Sequence, residues 1–222
     1  MDIKGAIFDM DGTLIDSLGV WEIIWEELGL RFGRGKGFRP SFEDDRAIRT
    51  MLLVEGAEMI HRNYNLGESG EQVHKVAVEV TERFYREQVT LKDGVAQYLD
   101  YLKAKEVPMC IASATAPELI KFAAERCGLY NYVSKIISCA DVGKGKEAPD
   151  VFYAALDYLG TKKAETCVFE DSALALTTAS DAGFLTVGIY DEHTFDHDEL
   201  KNTATVYIDE GETMMKLVNE QN

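Results

Sequence analysis

Short apolar runs recur along the chain and alternate with segments whose apolar residues lie three and four positions apart. The short runs are typical of strands buried on both faces, and the wider spacing is typical of amphipathic helices. The predicted strands are 5–8, 107–112, 135–139, 166–169, 185–189 and 204–208. The predicted helices between them are 94–105, 117–126, 149–159 and 173–182. This alternation predicts an α/β fold with a doubly wound parallel sheet.

The interval between the first two predicted strands is too long for a simple connection. It comprises residues 9–106, whereas a whole strand–helix–strand unit uses roughly 30 residues. Helical periodicity recurs within the interval at 21–28, 47–64 and 71–88. We therefore predict a core domain of residues 1–15 and 91–222 and a small α-helical cap domain inserted as residues 16–90.

Acidic residues outnumber basic ones along the chain. Asp and Glu total 39 and Lys and Arg total 23, which gives a formal net charge of −16. Such a charge repels phosphate backbones, so nucleic acid is not expected as a partner. No segment approaches the roughly 18 apolar residues of a membrane-spanning helix, and an acid at position 9 leaves no room for a secretory signal. We expect a cytoplasmic protein without membrane contact, present as a monomer or weak dimer.

The charge is unevenly distributed. Residues 191–222 hold nine acids and two lysines, whereas residues 31–49 hold six cations and three acids. We therefore expect a basic surface in the cap that attracts anions. The four cysteines form no C-x-x-C pair and are expected to be buried thiols.

Two carboxylates follow the first predicted strand, in the segment Gly5-Ala-Ile-Phe-Asp9-Met-Asp11-Gly12-Thr13-Leu14. In an open parallel sheet, ligands bind beyond the carboxyl ends of the strands, which is where Asp9 and Asp11 fall. Gly12 permits the chain to turn there. The structural alternative is a turn stabilised by the aspartates themselves.

A second acidic pair, Glu170 and Asp171, closes the strand 166–169. One of these acids could cap the following helix, but four acids at one edge of a sheet require a cation. Carboxylate oxygens favour Mg²⁺, which also bridges to substrate phosphate. We therefore predict a magnesium site formed by Asp9, Asp11, Glu170 and Asp171.

Two further loops offer groups that bind anions. Lys144 and Lys146 lie in the loop 143–150, and Lys146 is the candidate for the site, although spacing alone does not choose between them. In the other loop, Ser113 ends a strand at the start of a helix, where backbone N–H groups form an anion seat. There Thr115 and Glu118 fit the spacing of a helix capping box.

Together these strand ends offer a nucleophile, a metal site, a lysine and a phosphate seat, which is the set that phosphoryl transfer uses. An aspartate is ionised at neutral pH, so Asp9 is the predicted nucleophile that forms an aspartyl phosphate. Asp11 is the predicted general acid, which afterwards takes a proton from the attacking water.

Four segments of the chain resemble the motifs of the haloacid dehalogenase-like hydrolases. They are Asp9-Met-Asp11-Gly12-Thr13-Leu14, Ser113-Ala114-Thr115, Lys146 with Pro149-Asp150, and Glu170-Asp171-Ser172. The early helical insertion is similar to that of the group containing β-phosphoglucomutase and small sugar-phosphate phosphatases.

The resemblance implies a role for each matching residue. Asp9 is then nucleophile and Mg²⁺ ligand, Asp11 acid and base with a metal-binding carbonyl, Asp171 a direct ligand, and Glu170 a ligand through water. The phosphoryl group is held by Ser113, Ala114 and Lys146, with Gly12, Thr13 and Thr115 as further substrate-binding residues. The acid at position 11 disfavours dehalogenation.

The chain departs from the family pattern at three positions. Glu147 stands where proline is usual, Ala175 replaces a common glycine, and Trp21 stands where β-phosphoglucomutase carries a histidine. Trp21 and Trp25 either pack the cap core or line a substrate. A mutase must anchor a second phosphate, for which Arg46 or Arg49 is the candidate.

The predicted function is a Mg²⁺-dependent phosphatase for a small phosphorylated metabolite. The alternatives are a sugar phosphomutase and, in a different class, a non-catalytic binding protein. His193 and His197 have the spacing of a helical metal pair, but they are expected to lie in a surface loop.

Overall fold

The computed structural model describes residues 3–49, 51 and 53–219. The chain divides into two compact units, one formed by Met1–Leu18 with Val89–Asn222 and the other by Gly19–Gln88. We refer to them as the sheet unit and the helical unit. No helix within the described ranges combines the length and apolarity needed to cross a bilayer.

The strands belong to one six-stranded sheet and one two-stranded ribbon, both in the sheet unit. In chain order the strands are β1 Gly5–Phe8, β2 Ile15–Asp16, β3 Thr90–Leu91, β4 Met109–Ser113, β5 Ile136–Ser138, β6 Thr166–Glu170, β7 Leu185–Ile189 and β8 Val206–Ile208. The larger sheet is parallel throughout, in the order β5-β4-β1-β6-β7-β8. The predicted α/β fold is therefore confirmed.

The strand order reverses beside β1. From β1 the chain moves outward through β4 to β5, and it then returns to the other side of β1 with β6. Phe8 pairs with Ile111 on one side and with Phe169 on the other. Ligands bind beyond the carboxyl ends of strands at such a reversal. Asp9 is the residue directly after β1 and therefore lies at this position.

The helices flank the sheet or form the helical unit. In chain order they are α1 Val20–Arg31, α2 Phe42–Ile48, α3 Leu53–Tyr64, α4 Gly70–Glu87, α5 Val95–Ala104, α6 Pro117–Arg126, α7 Cys139–Val142, α8 Asp150–Leu159, α9 Ala173–Asp181, α10 His197–Thr203 and α11 Lys216–Asn219. Of these, α1 to α4 belong to the helical unit.

The core of the sheet unit is apolar and tightly packed. All residues of β1, β4 and β6 are buried, and the rings of Phe8 and Phe169 stack with centroids 4.4 Å apart. The predicted buried thiols are confirmed at Cys110, Cys139 and Cys167, while Cys127 is partly exposed. Burial raises the pKa of the Cys110 thiol to about 12, which makes it unreactive near neutral pH.

The helical unit has its own apolar core, in which Trp25, Leu28 and Ile60 are almost fully buried. The prediction of a single helix over 47–64 is wrong, because α2 ends at Ile48 and α3 begins at Leu53. Ile48 packs against Gly56 of α3, where a Cβ would lie 2.2 Å from Ile48 Cγ1.

Candidate active site

Asp9 is held at the end of the central strand. Its N–H donates to Phe169 O at 2.9 Å, which continues the pairing of β1 with β6 by one residue. The Asp9 side chain is 8% exposed, and its carboxylate accepts a hydrogen bond from Lys146 Nζ. Asp9 therefore lies at the reversal of strand order, with its carboxylate turned toward the residues that follow β6.

Asp11 is held by two hydroxyl groups. Ser17 Oγ donates to one carboxylate oxygen at 2.7 Å, and Thr115 Oγ1 donates to the other at 2.6 Å. These two bonds fix the orientation of the Asp11 carboxylate.

The turn between these acids and β2 requires glycine at position 12. Gly12 has φ of +71°, and a Cβ there would lie 2.6 Å from Asp171 Oδ2. The next residue, Thr13, donates from Oγ1 to Asp171 Oδ1 at 3.1 Å. Gly12 and Thr13 thus bring the loop after β1 into direct contact with the residue that follows β6.

The structure distinguishes the two candidate lysines. Lys146 Nζ donates to both Asp9 Oδ1 and Glu170 Oε1, and its side chain is 10% exposed. Burial alone lowers the pKa of Lys146, but the two carboxylates outweigh it and the net shift is upward. Lys144 pairs instead with Asp150 at 3.0 Å and is 57% exposed. The loop geometry therefore brings Lys146 to the acids.

Glu147, the first departure from the family pattern, has a local role in the same loop. Its carboxylate accepts the Gly145 N–H at 3.2 Å. This bond closes the turn that precedes α8 and lies directly beside Lys146 in the chain. At the position where proline is usual in the family, this chain therefore has a side chain that hydrogen-bonds within the loop.

Three buried carboxylates converge beside Lys146. One oxygen of each of Asp9, Glu170 and Asp171 lies within 4.8 Å of the others. Burial raises the pKa of Asp9 to about 8, with Lys146 opposing the shift and neighbouring acids adding to it. Burial likewise raises the pKa of Asp171, and Glu170 and Asp9 add to that shift. The raised pKa values of Asp9 and Asp171 indicate that the protein alone does not fully compensate the charges of these two carboxylates.

These residues fit a divalent cation. Three carboxylates and one ammonium leave two negative charges in excess, and uncompensated buried charge is strongly unfavourable. A doubly charged ion balances that excess, and hard oxygen donors suit Mg²⁺. The predicted fourth ligand, Asp11, directs both side-chain oxygens to hydroxyl groups, so its carboxylate stands apart from the triad.

Neither acid of the second pair caps α9. Ser172 is the N-cap residue, and its hydroxyl accepts the Ala175 N–H at 3.5 Å. Glu170 Oε2 accepts the Ser172 N–H at 3.1 Å, and its other oxygen faces Lys146. Both oxygens of Glu170 are therefore engaged, whereas Asp171 is bound through Oδ1 by Thr13.

The predicted capping box of Thr115 and Glu118 is wrong. Pro117 is the first residue of α6, and the extended residue before it, Ala116, becomes the N-cap without a side-chain cap. Thr115 thus lies before the helix, where its hydroxyl reaches Asp11. Ser113 is fully buried at the end of β4 and accepts the Thr115 N–H at 3.1 Å. Ala114 lies between them.

Two hydroxyl residues of the site escaped the sequence reasoning. Ser17 holds Asp11, and Ser138 donates from Oγ to Thr115 O at 3.0 Å. Ser17 gave no local signal, because its partner lies across the turn. Ser138 did give one, since it forms a capping box with Asp141 at the start of α7.

Trp21 and Arg49, the cap candidates, lie together in the helical unit. The Arg49 guanidinium lies 5.6 Å from the Trp21 ring centroid and binds Asp45 at 2.7 Å. Asp45 also accepts the Trp25 Nε1–H at 2.8 Å. Arg46 lies on the same helix, α2, and is exposed.

His193 and His197 do not form a metal pair. His197 begins α10 and stacks on Tyr190 with ring centroids 4.8 Å apart, whereas His193 lies in the preceding turn. Because His193 is outside the helix, the i, i+4 spacing of the pair does not place both rings on one helix face.

A family model for haloacid dehalogenase-like hydrolases matches residues 3–183. The chain belongs to the haloacid dehalogenase-like hydrolases, as its motifs predicted. It is similar to Protein CbbY from Rhodobacter capsulatus, with 32% identity over 206 residues covering 87% of this chain and 88% of the relative.

A second relative is the phosphorylated carbohydrates phosphatase of Thermotoga maritima, with 25% identity over 182 residues covering 82% of each chain. A solved structure from the same organism, described as a candidate β-phosphoglucomutase, superimposes with a TM-score of 0.81 at 24% identity, covering 98% of this chain and 99% of that one. That likeness shows a shared fold.

Proposed function

We propose that this hydrolase is a Mg²⁺-dependent phosphatase that cleaves a small phosphate monoester, such as a sugar phosphate, through an aspartyl phosphate. The observation that carries the proposal is the buried triad of Asp9, Glu170 and Asp171 in contact with Lys146. A relative named as a phosphatase for phosphorylated carbohydrates supports the substrate class. A cytoplasmic location and a monomeric or weakly dimeric state stay predictions.

Asp9, Glu170 and Asp171, together with the backbone carbonyl of Asp11, would hold the metal. A bound Mg²⁺ would offset the negative charge of the phosphoryl group and of the acids around it. Lys146, which contacts Asp9 and Glu170, adds a positive charge at the same place. Ser113 and the backbone of Ala114 would orient the phosphoryl oxygens at the start of α6, with Gly12, Thr13 and Thr115 lining the same loops.

Asp9 would attack phosphorus through a carboxylate oxygen, and the bond from phosphorus to the ester oxygen would break. Asp11 would donate its proton to the departing oxygen, giving an alcohol and the aspartyl phosphate. Asp11 would then take a proton from a water molecule as that water attacks phosphorus. Inorganic phosphate would leave, and Asp9 would be restored.

One of the two candidate anchors for a second phosphate is already engaged in an ion pair. A mutase needs a cation there, but the Arg49 charge is held by Asp45 at 2.7 Å, so only the exposed Arg46 stays a candidate for that role. Trp21 and Arg49 stay predicted substrate-binding residues of the helical unit, and we propose hydrolysis over mutase activity. Incubation with a hexose 1-phosphate tests this choice, because a 6-phosphate product without free phosphate would identify a mutase.

The central test is Asp9→Asn, assayed for phosphate release from an aryl phosphate. The amide is a poor nucleophile, so turnover is expected to fall at least to about one thousandth of the parental rate. Asp157→Asn, an exposed position on α8, is the matched control and is expected to stay active. Parental activity in a folded Asp9→Asn protein would refute the mechanism.

A further inference from the structure

Lys92 connects two loops of the sheet unit. It directly follows β3, its side chain is 20% exposed, and Nζ donates to Gly12 O at 2.8 Å, Tyr190 O at 2.9 Å and Asp191 Oδ2 at 2.8 Å. An ammonium group has three donors. All three are therefore used, one on the loop after β1 and two on the loop after β7.

The first of these loops is part of the candidate site. Gly12 lies directly between Asp11 and Thr13, and Thr13 binds Asp171 through its hydroxyl. Any movement of the Gly12 carbonyl would therefore displace Asp11 and Thr13. The backbone N–H of Lys92 also donates to Leu14 O at 3.0 Å, which ties the far end of the same loop to the same residue.

The second loop supplies a firm anchor. The Asp191 side chain is 4% exposed, and its other oxygen accepts the His193 N–H at 2.9 Å. A buried carboxylate without a partner is costly. The pair of Lys92 with Asp191 is therefore a fixed point, not a mobile surface contact.

We propose that Lys92 is a positioning residue of the phosphoryl-transfer site, which fixes the Gly12 carbonyl and thereby holds Asp11 and Thr13 in place. The inference rests on the proposed function. Lys92 has no contact with the carboxylate triad among its hydrogen bonds, so it acts through the loop. Losing such a supporting partner typically costs 10–100-fold in activity or metal affinity.

The experiment compares Lys92→Met with Lys105→Met. Lys105 is exposed at the end of α5, so its replacement changes the net charge equally without touching either loop. For Lys92→Met we expect kcat on an aryl phosphate to fall about 10–100-fold, with KM changed by less than about twofold. The rise in melting temperature on adding Mg²⁺ should also be smaller than in Lys105→Met. Equal kcat and an equal rise in the two variants would overturn the proposal.

A double variant separates positioning from charge compensation. In Lys92→Met/Asp191→Asn the unpaired carboxylate is gone, but the Gly12 carbonyl still lacks its donor. We expect this protein to be as slow as Lys92→Met. Recovery of the parental kcat would overturn the proposal, since Lys92 would then serve only to neutralise Asp191.

If Lys92→Met does not fold, Lys92→Arg carries the test. Arginine keeps the charge but places its donors differently, so a lowered kcat with unchanged KM is expected, and a parental kcat would overturn the proposal. If the parental protein releases no phosphate from any ester, the proposed function fails. The Mg²⁺-dependent melting shift then still tests Lys92.

Discussion

Two lysines of one loop, two positions apart, have different surroundings. Lys146 is almost buried between Asp9 and Glu170, whereas Lys144 pairs with Asp150 at the surface. The sequence pattern predicted that a lysine of this loop joins the site, and the family resemblance chose Lys146. Spacing alone could not, because the direction of each side chain depends on how the loop folds before α8.

Replacing Lys146 tests that assignment. Lys146→Met leaves the buried carboxylates with one positive charge fewer, so kcat/KM for an aryl phosphate is expected to fall by about 10²–10³. Lys144→Met has the same change in net charge and is expected to stay within about twofold of the parental value. Equal losses in the two variants would mean that the loop, not Lys146, carries the effect.

Gly12 is the second residue whose role can be isolated. In Gly12→Ala the positive φ costs about 1–2 kcal/mol, and the new Cβ crowds Asp171 Oδ2 at 2.6 Å. Gly160→Ala is the control, because Gly160 has φ of +66° and its added Cβ would meet no described atom within 4 Å.

Without metal, Gly160→Ala is expected to lose only the cost of its positive φ in urea unfolding, and Gly12→Ala is expected to lose more, because its Cβ also crowds Asp171. The stabilisation by Mg²⁺ should be reduced in Gly12→Ala and retained in Gly160→Ala. A full Mg²⁺ effect in Gly12→Ala would show that the Asp171 carboxylate tolerates the added methyl group.

At the scale of elements, apolar runs located the six strands of the main sheet within a few residues. Periodicity was less informative about where one helix ends and the next begins. The predicted helix 47–64 crosses the boundary between α2 and α3, because Ile48 and Met51 are both apolar and lie three positions apart. The structure packs Ile48 on Gly56, a contact that one-dimensional periodicity does not contain.

That contact can be tested by overpacking it. Gly56→Ala places a Cβ 2.2 Å from Ile48 Cγ1 and is expected to lower the free energy of unfolding by about 1–3 kcal/mol. At Gly37, where an added Cβ would meet no described atom within 4 Å, the same change is expected to be nearly neutral.

Ile48→Ala is the second single variant of a double-mutant cycle with Gly56→Ala. Combined with Gly56→Ala it should cost less than the sum of the single variants, because the added methyl group fills part of the space that isoleucine leaves. Strictly additive losses in urea unfolding would mean that the two side chains do not compete for that space.

At the scale of the whole molecule, the net charge of −16 is distributed differently than the sequence suggested. The expected basic surface over residues 31–49 is largely neutralised within the helical unit. The pairs are Arg31 with Glu27 and Glu79, Lys36 with Glu26, Arg39 with Glu22, and Arg49 with Asp45. The partners lie on α1, α2 and α4. Those on α1 and α4 lie outside residues 31–49, so the composition of that segment alone could not reveal them.

Metal binding is expected to raise the stability of the whole protein. A ligand that binds only the folded protein at about 100 times its Kd adds about 2.7 kcal/mol, so Mg²⁺ is expected to raise the melting temperature and a chelator to reverse the rise. Asp171→Asn should abolish the effect, whereas Asp181→Asn, exposed at the end of α9, should retain it. An undiminished rise in Asp171→Asn would exclude Asp171 as a ligand.

The small ribbon of β2 and β3 has a consequence for how this architecture can vary. Asp16 pairs with Thr90, so the chain leaves the sheet unit and re-enters it at neighbouring positions. An insertion with adjacent ends can be lengthened, shortened or exchanged as a module. The entropic cost of closing it changes only slowly with its length, and the positions where it joins the sheet unit do not change. New specificities could then arise by replacement of Gly19–Gln88 while the sheet and its acids are inherited unchanged.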